Sequence, residues 1–174
     1  MQDPDPRILA RARDGDTAAF EDLVRLFQAD VYRFACYVTR DRTLAEDVTQ
    51  EAFLRAFRFL GSYRGDSRFS SWLLRIVRNC GMDALRKRQV PLEEQHDVVA
   101  PATDPTARAE LDAALRSVAS EHREPFLLIE VLGMSYQEVA DVLGLKVGTV
   151  KSRMHRARAA LCRALAVEEE AGEL

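Results

Sequence analysis

Two carboxylates one helical turn apart, Asp47 and Glu51, are the residues of this chain that most resemble a catalytic pair. Carboxylates at such a spacing can act as general acid and general base. No nucleophile, glycine-rich phosphate loop or histidine partner accompanies them, and acid–base chemistry on a substrate usually needs such a group. The sequence therefore predicts no enzymatic activity.

The same two acids belong to a longer helical face that also includes Gln50 and Leu54. These positions follow each other at intervals of three and four residues, so they share one side of a helix. An acidic face repels phosphate and suits a protein partner better than DNA. A solvated helix surface is the alternative, and for an isolated segment it would be the better interpretation.

Metal and disulfide chemistry are not indicated by the cysteines and histidines, which are scattered along the chain. None of them falls at the spacing of a zinc site or a disulfide framework. We therefore expect neither a metal site nor a cofactor. We expect Cys36, Cys80 and Cys162 to be small buried side chains.

Basic and acidic residues are strongly segregated along the chain, although the net charge is only −3. Residues 62–88 carry 7 basic and 2 acidic side chains, and residues 135–165 carry 6 and 2. Residues 89–106 and 166–174 each carry four acids and no base. Two basic segments set between acidic ones are typical of a chain that contacts a polyanion at two separate places.

The second basic segment has the pattern of a helix-turn-helix over residues 135–161. Ser135 and Glu138 form a capping box, and Gly144 ends the short helix that follows. The next helix carries an apolar stripe of Val150, Met154, Ala157 and Leu161. Its separate polar stripe consists of Ser152, His155, Arg156 and Ala159, flanked by Lys151 and Arg153. The polar stripe would face the major groove of DNA, and an ordinary solvated surface is the less favoured alternative.

The first basic segment predicts a helix from Phe69 to Arg88, preceded by a loop over residues 61–67. One face of this helix carries Arg75, Asn79, Asp83 and Arg86. In and beside the loop, Arg64 and Arg68 are mixed with the rings of Tyr63 and Phe69, as in proteins that hold unstacked bases. The alternative, in which the rings are core and the arginines a solvated face, has nearly equal weight on these residues alone.

Helical periodicity recurs along the chain while strand patterns are nearly absent, so we predict an all-α fold. Two long helices are predicted before the first basic segment, one from Asp16 and Thr17 to Arg40, and one over 44–60 with Thr43 and Glu46 as its capping box. Further predicted helices run from Asp104 and Pro105 to Ala119, from a Ser120 cap to Gly133, and from Gly148 to Ala166.

The 174 residues suffice for two small domains. Residues 89–106 have the composition of a linker, with three prolines and no base. We therefore predict two small helical domains, 1–88 and 107–166, joined by a flexible acidic linker and followed by a frayed acidic tail over 167–174. No apolar stretch or N-terminal leader indicates membrane insertion or secretion, so we expect a cytoplasmic protein.

Three segments of the chain together resemble the bacterial extracytoplasmic-function (ECF, group 4) RNA polymerase sigma factors. They are DVTQEAF at 47–53, FSSWLLRIVRNCGMDALRKR at 69–88 and YQEVADVLGLKVGTVKSRMHRAR at 136–158. Three motifs in this order are more specific than a single helix-turn-helix. The resemblance implies a region-two and a region-four domain that direct promoter recognition, DNA melting and transcription initiation, for a stress or envelope-response regulon.

The resemblance also implies a role for each set of residues. Core RNA polymerase would be bound by Asp47, Gln50, Glu51 and Phe53. The minus-ten element of promoter DNA would be captured by the loop from Gly61 to Ser70, with Arg64 and Arg68, and read and melted by Arg75, Asn79, Asp83 and Arg86. The minus-thirty-five element would be read by Lys151, Ser152, Arg153, His155 and Arg156. An anti-sigma factor is a further implied partner, and we expect a monomer when the protein is free.

Two other functions remain as alternatives. A one-component transcription regulator would need a ligand pocket or a dimerisation helix, and neither is evident in the sequence. A helical adaptor that binds only proteins would leave both basic segments unexplained. One departure from the family pattern is Lys146, which stands where related sequences often have Pro or Ser, so we expect a less rigid turn there and a phosphate contact by Lys146.

Overall fold

The computed structural model describes residues 3–87, 114–115 and 118–172, with side chains up to Ala164. All regular structure in these residues is helical, which confirms the predicted all-α fold. The chain divides into two compact units, Met1–Val99 and Ala100–Leu174. The predicted linker lies outside the described residues. Of the helix predicted after Pro105, only Ala114 and Leu115 are described as helical.

The first unit is built on three long helices that pack against one another. Its elements are α1 (Pro6–Arg13), α2 (Thr17–Thr39), α3 (Arg42–Phe59), a 3₁₀ turn (Leu60–Ser62) and α4 (Phe69–Lys87). The core between α2, α3 and α4 is formed by side chains with almost no exposed surface, including Leu23, Phe27, Val31, Leu73 and Val77. This burial of apolar surface holds α4 in place and directs its polar face outward.

The ends of α2 lie where the sequence predicts them. The Asp16 carboxylate accepts a hydrogen bond from the Ala19 backbone N–H, so Asp16 caps the first turn. At the other end Arg40 adopts a left-handed conformation with φ 53°, and its N–H donates to the Cys36 carbonyl oxygen over 2.8 Å. An αL residue satisfies a carbonyl of the last helical turn and ends the helix.

Two predicted helix starts are wrong. α3 is capped by Asp41, whose carboxylate accepts from the Leu44 N–H, so Thr43 lies inside the first turn and forms no capping box. Asp41 and not Thr43 is the N-cap because the backbone of Asp41 is extended, with φ −146°, as is typical of an N-cap residue. The other error concerns Ser120, which is the first residue of the helix Ser120–Glu130 and not its cap.

The second unit contains the helix-turn-helix. Its helices are α5 (Ser120–Glu130), α6 (Tyr136–Leu143) and α7 (Val147–Gly172). α5 ends three residues before Gly133, the predicted end. α7 continues to Gly172, so the described part of the acidic tail extends this helix, contrary to the frayed tail that we predict beyond Ala166.

The cysteines divide into two groups. Cys36 and Cys80 are buried as predicted, and burial raises the pKa of both thiols. Cys162 is exposed on α7, so its predicted burial is wrong. The reason is its position next to Leu161, since the inward stripe of α7 passes through Leu161 and leaves the following residue outside. None of the described helices is both long and apolar enough to cross a membrane.

The close approach of α2 and α4 gives a stability prediction. A Cβ placed on Gly81 would lie 2.6 Å from the Val38 Cγ1 atom, and the branched valine side chain has few rotamers by which to move away. Gly81→Ala should therefore lower the free energy of unfolding by about 1–3 kcal/mol, despite the better helix propensity of alanine.

Chemical denaturation of Gly81→Ala and of Gly61→Ala checks this predicted loss of stability. Gly61 is a suitable control because a Cβ there meets no atom within 4 Å. Equal denaturation midpoints for the two variants would contradict the prediction, because they would show that α2 and α4 can accommodate a Cβ at Gly81 without loss of stability.

Candidate nucleic-acid interface

The outward face of α4 displays the four polar residues that the sequence places there. Arg75, Asn79 and Arg86 are exposed and Asp83 is half-buried. The opposite side of the helix is buried in the core of the first unit. Beside this face lies a shallow groove of about 510 Å³. Its lining residues are Arg55, Arg78, Asn79, Met82, Asp83 and Arg86.

A chain of ion pairs joins α3 to this face. The Arg55 Nε atom donates to Glu51 Oε1 over 2.7 Å, and an Nη atom of the same guanidinium donates to Asp83 Oδ2 over 3.2 Å. Asp83 also accepts from the Arg86 guanidinium. The two acids and two arginines therefore compensate one another's charge at the edge of the groove.

These contacts shift the pKa values of Arg55 and Asp83, the two middle groups of the chain of ion pairs. The hydrogen bond from Arg55, followed by that from Arg86, lowers the pKa of the Asp83 carboxyl. The hydrogen bonds to Glu51 and then Asp83 raise the pKa of Arg55. Both shifts favour the charged forms, so Asp83 remains a carboxylate at neutral pH.

The acidic face of α3 is accessible. Asp47 and Gln50 are exposed, Glu51 and Phe53 are half-buried, and the Leu54 side chain is 53% exposed. The buried side of the same helix consists of small residues, Ala45, Ala52 and Ala56 among them, which let α3 lie close to its neighbours. An exposed leucine beside two acids provides a surface with both apolar and charged character.

The loop before α4 is organised by aromatic packing. Tyr63 and Phe69 are only 7% and 3% exposed, and their ring centroids lie 5.9 Å apart. The Tyr63 hydroxyl donates to the Ser67 carbonyl oxygen. These two rings therefore belong to the core and are not free to stack on bases, so for them the alternative interpretation is the better one.

The two loop arginines point outward. Arg64 is exposed, and Gly65 beside it has φ +79°, a conformation that favours glycine at the tip of the loop. Arg68 is also exposed, and its Nε atom lies 3.2 Å from Asp3 Oδ2. The N-terminal segment thus contacts the start of α4.

The helix-turn-helix has the predicted local geometry. The Ser135 hydroxyl accepts from the Glu138 N–H, and the Glu138 carboxylate accepts from the Ser135 N–H over 2.7 Å, which confirms the capping box. Gly144 ends α6 with φ 66°. The Lys146 carbonyl oxygen accepts from the Val150 N–H in the first turn of α7, while the Lys146 side chain is exposed.

The two stripes of α7 are separated as predicted. The apolar stripe of Val150, Met154, Ala157 and Leu161 is buried, and the polar stripe of Ser152, His155, Arg156 and Ala159 is exposed. Lys151, which flanks the polar stripe, is also exposed.

Arg153 lies apart from the polar stripe. Its side chain is 25% exposed, and an Nη atom lies 3.5 Å from Glu121 Oε2 on α5. Arg158 is similarly paired with Glu130 over 2.7 Å. Both arginines therefore connect α7 to α5.

Within the described residues, no three His, Cys, Asp or Glu side chains are grouped in a way that could hold a metal ion. In the part of the chain that the structure describes, the predicted site residues lie on two basic faces, one in each unit, and on one acidic face.

Comparison with known proteins assigns the two units. Residues 23–90 match the family model of Sigma-70 region 2, and residues 108–161 match that of Sigma-70, region 4. The chain is 38% identical over 169 residues to the ECF RNA polymerase sigma factor SigM of Mycobacterium tuberculosis, covering 92% of this chain and 84% of that protein. The chain belongs to the ECF sigma factor family.

Two further relatives extend this result. The ECF RNA polymerase sigma factor SigE of Mycolicibacterium smegmatis is 39% identical over 83% of this chain, which spans 62% of the length of that relative. A solved structure of the sigma factor RpoE in complex with the anti-sigma factor NepR, from Bartonella quintana, has a TM-score of 0.73 at 28% identity, and the match covers 85% of this chain and 97% of that one. Sigma factors bind core RNA polymerase and are transcription regulators rather than catalysts.

The sequence interpretation of this sigma factor missed Arg55, Arg78 and Met82, which line the groove. Arg55 follows Glu51 by four residues, a spacing at which an ion pair on one helix could be predicted. Its contact with Asp83, 28 residues further along the chain, depends on how α3 packs on α4 and has no signal in the sequence.

Proposed function

We propose that this sigma factor, of the ECF group 4 class, binds core RNA polymerase with the acidic face of α3 and two promoter elements with its two basic faces. The observation that carries the proposal is the distribution of these faces: the acidic face and one basic face belong to the first unit, and the other basic face belongs to the second. We assign residues 1–88 to region two, 107–166 to region four and 89–106 to the connection between them.

The polymerase-binding surface in this proposal consists of Asp47, Gln50, Glu51 and Phe53. Its support is the exposed acidic and apolar character of the α3 face, which repels DNA and suits a basic protein surface. An interface of this kind gains affinity from a desolvated apolar centre and specificity from the charges around it.

The minus-ten element is assigned to the α4 face and the loop before it. Arg75, Asn79, Asp83 and Arg86 supply donors and acceptors along one line, and Arg64 and Arg68 add positive charge at the loop. Cations bind phosphates and fix the register, while the Asn79 amide can both donate to and accept from a base edge.

The minus-thirty-five element is assigned to α7. Lys151, Ser152, His155 and Arg156 are exposed on one stripe, and a buried stripe holds the helix against its unit. Arg156 can read a guanine through two hydrogen bonds, and Lys151 and Lys146 can bind phosphates. Arg153, at the side of this stripe, is a further residue of the proposed reader, and its guanidinium contacts Glu121 on α5.

Regulation follows from the same surfaces. We propose that a protein inhibitor of the anti-sigma class acts by covering the acidic or basic faces. The support is that the related sigma factor RpoE forms a complex with the anti-sigma factor NepR. We further propose a monomer when free, a cytoplasmic location, and a stress or envelope-response regulon.

Asn79→Ala tests the melting role of α4. Because Asn79 is exposed and outside the core, the variant should fold normally but open promoter DNA less completely, with a loss of about tenfold in the open fraction if one base contact is removed. Permanganate footprinting of the holoenzyme on duplex and on pre-melted promoter templates measures this. Equal footprints of variant and wild type on duplex DNA would remove Asn79 from the melting step.

A further inference from the structure

Arg55 joins two surfaces to which the proposed function gives different partners. Its guanidinium donates from Nε to Glu51, on the polymerase-binding face of α3, and from Nη to Asp83, on the DNA-facing side of α4. The side chain is 31% exposed, less than the carboxylates of Glu51 and Asp83 at 45% and 36%. Arg55 therefore lies between the two acids and closer to the body of the unit.

We propose that Arg55 is a positioning residue for minus-ten recognition, which fixes α3 to α4 and compensates the charge of Asp83 so that Asn79 and Arg86 can approach the DNA. The inference rests on the proposed function. It adds Arg55, to which the proposed function gives no contact with a base or a phosphate.

Asp83 needs such compensation because a carboxylate at a DNA-binding groove repels phosphate. Both Arg55 and Arg86 contact it, but Arg86 is also one of the cations that the proposed function assigns to DNA. If Arg55 were removed, Asp83 would keep Arg86 as its counterion. The carboxylate would then oppose the movement of the Arg86 guanidinium to a phosphate. With Arg55 present, Asp83 retains a partner when Arg86 turns to the DNA.

The geometry requires arginine in particular. A guanidinium is planar and donates in several fixed directions, so one group can bond a carboxylate on its own helix and another on a neighbouring helix. The ammonium group of lysine is a single point of charge and cannot reproduce both bonds with this geometry.

Arg55→Gln in the full-length chain is the principal test. The probe is a fluorescent single strand that carries the minus-ten sequence of a promoter which the wild-type holoenzyme transcribes, and fluorescence anisotropy measures its affinity. We expect binding about tenfold weaker than that of wild type, since Asp83 then competes with the DNA phosphate for Arg86, which costs about this much at a partly exposed site.

Arg25→Gln is the matched control. Arg25 also bonds two carboxylates, Glu21 and Asp22, but both lie on its own helix and away from the groove. This variant loses the same charge and the same kind of contacts, so we expect its affinity to stay within twofold of wild type.

Removal of Asp83 separates a positioning role from a purely structural one. If Arg55 acts by compensating Asp83, Arg55→Gln should cost much less affinity in an Asp83→Asn background than in the wild-type background, whatever Asp83→Asn costs by itself. Arg55→Lys, which keeps the charge but not both bonds, should lose about threefold and serves as the test should Arg55→Gln not fold.

Wild-type affinity in Arg55→Gln would overturn the inference, and should that variant not fold, wild-type affinity in Arg55→Lys would do so. An equal loss from Arg55→Gln in the wild-type and Asp83→Asn backgrounds would also overturn it. Failure of the proposed function is distinguishable, because the wild-type protein itself would then neither bind the strand nor support transcription.

Discussion

Asp47→Lys is expected to weaken binding of the sigma factor to core RNA polymerase by about 2 kcal/mol, or about thirtyfold. Asp47 is exposed on the α3 face, so a lysine there should leave the fold intact and place a positive charge against a basic partner surface. Titration of labelled core polymerase with wild-type and variant protein measures the change.

The choice of Asp47 follows from the ion-pair chain. Glu51→Lys should also weaken polymerase binding, but it would remove the bond from Arg55 and place two cations together, so its effect would mix two causes. Asp14→Lys is the control for Asp47→Lys, since Asp14 is an exposed acid at the end of α1, outside the proposed surface. Equal polymerase affinity for the variants of Asp14 and Asp47 would remove the α3 face from the interface.

Arg156→Ala is the second substitution with a large expected effect. Loss of a two-bond contact to a base in the minus-thirty-five element should cost about 1–3 kcal/mol and relax the preference at that base. Holoenzyme binding to a set of promoters with single base changes in the upstream element measures both affinity and preference.

Two substitutions on the same helix distinguish base reading from general charge. Arg158→Ala removes an arginine that is paired with Glu130, so it should change affinity little. Lys151→Ala should weaken binding to all the promoters alike and reduce the salt dependence of binding, as expected for a phosphate contact. If Arg156→Ala behaved like Lys151→Ala, Arg156 would be a phosphate ligand and not a base reader.

The helix-turn-helix was predictable from the sequence because its signals are local. A capping box, an αL glycine and two stripes of different polarity each depend on residues within about ten positions of each other. The structure has all of them, with Ser135, Gly144 and the buried stripe from Val150 to Leu161 in the predicted places.

The sequence patterns for the starts of two helices, α1 and α3, were not interpreted correctly although they are local. α1 begins at Pro6 directly after Asp5, whose carboxylate accepts from the Arg7 N–H, and this is the same pattern that predicts a helix at Asp104 and Pro105. At α3, both Asp41 and Thr43 are good capping residues, and only the extended backbone at Asp41 decides between them.

Other features depend on packing and leave no trace in a single sequence. Whether Tyr63 and Phe69 stack on bases or on each other is decided by the fit of the loop against α2 and α4, and Phe27 of α2 lies 5.4 Å from Phe69 between ring centroids. The bond from Arg55 to Asp83 likewise exists because α3 and α4 lie side by side. Such contacts join residues far apart in the chain, so periodicity cannot predict them.

Run-off transcription with core RNA polymerase and a pool of promoter fragments tests the central claim most directly. If the chain is a sigma factor that binds core and opens promoters, transcripts of defined length will appear only when core and this protein are both present, and Asp47→Lys will reduce them at limiting protein. Absence of any transcript that depends on this protein, under conditions where it binds promoter DNA, would contradict the account and indicate a conventional DNA-binding regulator.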